Sequence, residues 1–258
     1  MRAEGTADGT ATGTIGAVLA RMDELGERLE AERDPARFFL GTYARTTRAI
    51  GAALAAGLFE DPAWVEEWDV VFADLYLDAL AARRQGGAEV PRPWRLAFEA
   101  DPDMHPVGHV LLGMNAHINY DLPQSLLAVV PPEAFGDPAL LARRHRDHER
   151  IDAVLADRVA AEDGELEQVA GGGRTLLDRV MTPLNRGASR RFLRESRHKV
   201  WQTTLALHEA RERGPEAYAD RLRDLDVVSS ARIADLLRPG PVLVRLALVG
   251  FGVTLPPA

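Results

Sequence analysis

Apolar residues recur every three to four positions along nearly the whole chain, which is the period of an amphipathic helix. The first such stretch runs over roughly 14–33, with Ile15, Val18, Leu19, Met22, Leu25 and Leu29 on one face. Asp34-Pro35 breaks it and starts a second over about 35–57, lined by Phe38, Phe39, Tyr43, Thr46, Thr47 and Ile50 and closed at Gly57. Asp61-Pro62 restarts the pattern for a third helix over about 62–84, whose apolar centre reads as Trp68, Val71, Phe72, Leu75 and Ala79. A short helix is expected from Trp94 to Ala100, then one over 106–121 that runs past Pro123 into Leu126–Val130. Further helices are predicted over about 138–161, 174–182, 186–212 and 215–238. No sustained period-two run of β-branched residues occurs, and no Asn-Gly or Asp-Gly pair sits between two such runs. The pattern predicts an all-α bundle of about seven to nine helices: one domain over 14–258 behind a disordered Gly/Thr/Ala-rich segment, residues 1–13.

Composition narrows the function. A net charge of -8 speaks against a general nucleic-acid binder. With no cysteine, disulfides, thiolate metal sites and a cysteine nucleophile are excluded. The first residues have no apolar core of a secretory signal, so a cytoplasmic location is expected. The longest apolar run, Pro241 to Val253, is interrupted by Arg245 and too short to span a bilayer, so a buried terminal helix is expected, without stable membrane insertion.

Candidate chemistry concentrates between His105 and Pro123. This oily stretch carries His109, Asn115, His117, Asn119 and Asp121, groups that are costly to bury without partners. His117 and Asp121 stand four apart, on one helix face, where they either grip a metal ion or bond each other. A second His-x-x-x-Asp, His148 to Asp152, lies on the helix after the Pro131-Pro132 break, so the two helices can run antiparallel. At 100° per residue, Asp147 and His148 share the arc of Ile151, Val154 and Leu155, with Asp152 at its edge. Two such matches arise by chance in roughly one sequence in ten of this composition, so local hydrogen-bonded pairs are the simpler alternative. His109 adds a third imidazole near the first motif, with Gly113 leaving space between.

Other clusters are weaker. Asp74 and Asp78 form an acidic pair; Asp78 borders the apolar stripe as an extra ligand and Asp74 points out. The arginines 186, 190, 194 and 197 lie along one strip leading to His198 and Trp201, either an anion-binding face or a solvated one. No phosphate loop, Gly-x-Ser-x-Gly elbow or dinucleotide fingerprint is present.

The string GMNAHINYDLP (residues 113–123), with Phe72–Ala79 before it and Asp147–Asp152 after it, resembles a family of uncharacterised, mainly actinobacterial proteins over most of residues 35–210. More loosely, the two His-x-x-x-Asp motifs resemble the helical zinc phospholipase C and P1 nuclease superfamily, whose motif helices supply zinc ligands for phosphodiester hydrolysis. That similarity implies His117, Asp121, His148 and Asp152 as ligands, although the histidine expected six residues after the first aspartate is Leu127 here.

These readings combine into one expectation: a metal-dependent enzyme, most simply a hydrolase of ester or phosphoester type, using zinc or iron. Its metal ligands would come from His117, Asp121, His148 and Asp152, with His109 or Asp78 added. Asp147, Asn119 and His198 are the catalytic candidates, and Arg197, Tyr43 and Trp201 the substrate-binding ones. The expected partner is a small molecule with an apolar part, and a homodimer is compatible with the sequence. Two alternatives stay open: a helical cyclase, transferase or oxygenase acting on an apolar natural-product intermediate, and a non-catalytic binding module whose His–Asp pairs fix packing.

Overall fold

The computed structural model describes residues 13–86, 89–169, 195, 197–239, 250 and 252–257, and the side chains of all of these except 152 and 155–169. All regular secondary structure among the described residues is helical, with no strand, as expected of an all-α bundle. Helix α1 (Ile15–Ala31) is capped by Thr14, whose hydroxyl accepts from the Ala17 amide, and α2 is Ala36–Ala55. Helix α3 (Pro62–Arg84) is capped by Asp61, which accepts from the Trp64 amide at 3.2 Å. The short α4 (Arg92–Phe98) precedes α5 (Pro106–Ala116). A five-residue π-helical segment, His117–Asp121, then leads directly into α6 (Leu122–Val129). A 3-10 turn (Pro132–Gly136) connects to the long α7 (Pro138–Val169). Helix α8 covers 197–213 and α9 is Pro215–Leu236.

The helix continues through Pro123 because of the π segment. Proline lacks an N–H and its ring crowds the carbonyl four residues earlier, here that of Asn119. One extra residue in the turn widens the backbone there and removes the crowding, which is how π-bulges accommodate such sites. The same widening leaves His117, Asn119 and Asp121 all buried, although they stand two apart.

Helix α3 runs through the interior. It buries residues around much of its circumference: Trp64, Val65, Trp68, Val70, Ala73, Tyr76, Leu77 and Leu80 are all nearly inaccessible. Its indole N–H groups tie it to α6, Trp68 Nε1 donating to Ser125 Oγ at 3.0 Å and Trp64 Nε1 to the Val129 carbonyl at 3.2 Å. The stripe expected from the sequence is therefore shifted: Val71, Phe72 and Leu75 are only partly buried, whereas Asp69, one position after Trp68, is 3% exposed. Phe72 and Ile118 pack against both of the two large hydrophobic clusters and join them.

Gly113 lets α5 approach α2 closely, and the space expected beside it is filled by Phe39. A Cβ at this position would stand 2.6 Å from Phe39 Cδ2 and 2.8 Å from Phe39 Cβ, well inside van der Waals contact. Phe39 is buried against Tyr43, Tyr76 and Trp94, so it cannot swing away freely. Gly113→Ala is expected to lower stability by about 1–3 kcal/mol despite alanine's better helix propensity. Urea denaturation checks this, and a gain in stability would show that the contact relaxes without strain.

Candidate functional site

The centre of the molecule is the His117–Asp121 pair. His117 Nδ1 lies 2.8 Å from Asp121 Oδ2, and the same oxygen accepts the Trp94 indole N–H at 2.7 Å. An oxygen held by an indole, which only donates, favours the ionised carboxylate, so the imidazole places its proton on Nδ1 and leaves Nε2 as a bare acceptor. Nε2 is buried and has no hydrogen-bond partner. Burial pushes the His117 pKa down, opposed by its bond to and attraction for Asp121. Burial likewise raises Asp121, opposed by its bond to His117. The histidine is thus a neutral base around neutral pH.

Aromatic rings enclose this base. Phe72 stacks on the imidazole with ring centres 3.6 Å apart and planes 6° from parallel. Tyr43 meets it edge-on at 4.5 Å, and Phe39, Trp94 and Tyr76 complete the box at 5.8, 5.9 and 6.0 Å. Three of these rings, Phe39, Tyr76 and Trp94, also wall a small cavity of about 20 Å³ that reaches His109 and Phe98, room for about one water. His109 stacks on Phe38 and leaves its own buried Nε2 without a partner at that cavity. Burial lowers the His109 pKa.

The second motif is built differently. As expected, Asp147 and His148 both face inward, at 0% and 1% exposure. Asp147 acts as a clamp: Oδ1 accepts the Glu60 amide and Oδ2 the Asp61 amide, each at 2.8 Å, and Arg150 adds an ion pair at 2.7 Å. It fastens α7 to the corner between α2 and α3. His148 lies between Trp68 and Trp201, each ring centre 5.5 Å away, with His145 behind it. Both of its ring nitrogens are buried and unpartnered, and burial, then Arg197 and His145, drive its pKa well down. Arg197 is buried and donates to the His148 carbonyl.

The remaining candidates scatter. Asn119 is buried and its Oδ1 accepts the Val253 amide at 3.1 Å. His198 is exposed on α8 beside Gln202. Asp78 is exposed, and Asp74 pairs with Arg21. The side chain of Asp152, the arginines 186, 190 and 194 and the expected helix 174–182 lie outside the described residues.

Two imidazole environments result, and they share no ring: one of Phe39, Tyr43, Phe72, Tyr76 and Trp94, the other of Trp68, His145 and Trp201. Among the described residues no three His, Asp or Glu side chains converge so as to hold a metal ion. The Asp121 oxygen that would ligate is taken by two donors, and both Asp147 oxygens are taken by backbone amides. The described donors therefore do not fit the shared zinc site that the looser resemblance implies.

One buried ionisable group escaped the sequence reading. Asp69 on α3 has an unpartnered Oδ2, and burial, with the Glu66 charge, raises its pKa to about 7. Its position beside Trp68 was the available signal, masked by a stripe whose centre lies about 100° away around the helix.

Among the described residues no helix is long and apolar enough to cross a membrane. The model of a family of unknown function, DUF5995, matches residues 15–239, a longer span than the motifs alone indicated, whereas no curated protein and no solved structure matches. The match covers the dyad, the aromatic box and the Asp147 clamp together, so the chain belongs to the DUF5995 family.

Proposed function

We propose that this chain is an enzyme that moves a proton on a small, largely apolar molecule, with His117 Nε2 as the accepting base. The observation that carries the reading is the unpartnered Nε2 of an imidazole whose other nitrogen is held by Asp121, itself held by Trp94. A carboxylate behind the imidazole fixes its tautomer and stabilises the imidazolium formed when Nε2 takes a proton. The box supplies a low dielectric, which strengthens that pairing, and its aromatic walls suit an apolar body. The adjoining cavity has room for about one water beside His109, on the other side of the Phe39, Tyr76 and Trp94 rings.

The test compares wild type with His117→Gln on a small-molecule extract, followed by mass spectrometry, with metal analysis of both proteins. Consumption of a species by wild type, abolished or slowed by about 10²–10⁴-fold in the variant, is expected. Stoichiometric zinc or iron that vanishes with His117→Gln would replace the proton-transfer reading by the metal-dependent one. Consumption of nothing by the wild type, with a large stability loss in the variant, would leave the dyad a packing device.

A further inference from the structure

A second set of buried, unpartnered polar atoms lies on the α2–α3 interface that forms the box. Tyr76 packs on Phe39 at 5.0 Å and on Tyr43 at 6.1 Å, and Phe72 packs on Tyr43 at 5.9 Å. The two helices are therefore antiparallel, and each turn back along α3 advances one turn along α2. One turn before Phe72 is Asp69, and one turn after Tyr43 is Thr47, so the register sets these two opposite each other. The electrostatics agree: after burial, the charges of Asp69 and then Asp121 push the Tyr43 phenol well up, and the nearby Thr47 hydroxyl draws it partly back. Tyr43 thus links the Asp69 level to the dyad.

Asp69 Oδ2 is buried without a hydrogen-bond partner, as is His117 Nε2, and the buried Tyr43 and Thr47 hydroxyls have no partner beyond each other. Thr47 is 0%, Asp69 3% and Tyr43 5% exposed. Every one of these atoms can accept a hydrogen bond, and Asp69 Oδ2 and His117 Nε2 are acceptors without a proton of their own in their charged and neutral forms. Asp69 has no salt bridge among the described residues, and the charged group acting on it is another acid, Glu66. Buried acceptors left open are costly, and a buried carboxylate without a counter-charge is more so. The missing complement carries several N–H donors and a positive charge, and aromatic faces suit such a cation.

We infer that Asp69, Thr47 and Tyr43 form the recognition site for a primary ammonium group, so that the small molecule handled at His117 is an amine with an apolar body. This rests on the proton-transfer reading of His117 for its chemistry, but the binding claim stands on its own atoms. Without ligand the Asp69 carboxyl keeps its proton in the closed core; an ammonium ion displaces that proton to solvent and pairs with the carboxylate.

The probes are methylammonium and benzylamine, with benzyl alcohol and tetramethylammonium as controls lacking the charge or the N–H groups. Thermal unfolding near pH 7 and the Asp69 carboxyl ¹³C shift, assigned through Asp69→Asn, are followed together. At least one amine is expected to raise the melting temperature and shift Asp69 toward its ionised form. Neither control should do so, and Asp69→Asn should weaken binding on the order of tenfold or more. Thr47→Val should weaken it less, while His117→Gln still binds. No response to either amine, an equal response to tetramethylammonium, or undiminished binding by Asp69→Asn overturns the inference. Failure of the His117 reading shows up separately, as amine binding that persists with no consumption of any amine.

Discussion

Asp147→Ala should destabilise the protein by about 3–5 kcal/mol, the largest single-residue loss expected outside the aromatic core. Its carboxylate is 0% exposed and accepts the amides of Glu60 and Asp61 at 2.8 Å each. Alanine leaves both N–H groups at the α2–α3 corner facing the space the carboxylate filled. It also leaves Arg150 with Glu60 alone. Asp147→Asn is instructive beside it: the amide can accept one of the two N–H groups but turns its own donors toward the other. A loss of roughly half the alanine value or more is expected for Asn. Urea denaturation with an unchanged m-value checks both. A loss below about 1 kcal/mol for alanine would mean that water reaches the two amides. The outcome also bears on chemistry, since a carboxylate committed to two backbone amides and Arg150 serves the corner rather than a substrate.

The second large effect is a pH dependence assigned to Asp69. Its folded-state pKa, about 7, stands above the unfolded carboxylate value near 3.9. Between these values the folded state holds a proton that the unfolded chain has released. Unfolding stability therefore falls as pH rises from about 4 to about 7, and the penalty is complete above that window. At 1.36 kcal/mol per unit the three-unit difference amounts to roughly 4 kcal/mol, an upper figure for a fully buried group. Glu60 works in the opposite sense, since its bonds to Arg146 and Arg150 hold it at about 2. The clean measurement is accordingly the difference between wild type and Asp69→Asn across pH 4 to 9. The variant is expected to gain relative to wild type as pH rises, with the difference levelling off above neutrality. A flat difference would show that Asp69 titrates as an ordinary carboxylate. Ammonium ligands should shrink the alkaline gap by stabilising wild type alone.

The all-α bundle and most helix boundaries were legible because helices here start at Asp-Pro or Pro steps and carry apolar residues at the right period. The His117–Asp121 contact was legible for the same geometric reason, a spacing of four. Its surroundings were not, because Phe39, Phe72 and Trp94 come from three other helices and no local pattern links them to His117. The π turn was hidden too, since a widened turn has no composition of its own; the proline two residues after Asp121 was its only trace. Asp69 was missed for a different reason. A helix packed on several sides has no single apolar stripe, so a moment drawn through Trp68, Phe72 and Leu75 cannot place a polar neighbour. Asp147 and His148 were placed inward correctly, because the described side chains of α7 have one buried face and Ile151 marks it. What periodicity could not say is that Asp147 meets two backbone amides from a corner more than eighty residues earlier.

The bond from the Val253 amide to Asn119 Oδ1 spans 134 positions of chain. Contacts so distant form only after most of the loop-closure entropy has been overcome, and during synthesis they must wait for the later residue to leave the ribosome. Asn119 therefore receives this partner late, while the His117–Asp121 pair, four residues apart, and the helices α1 to α4 around it can already have packed. A nascent chain can thus hold both its dyad and the aromatic box around it before the segment that fastens Asn119 has been made.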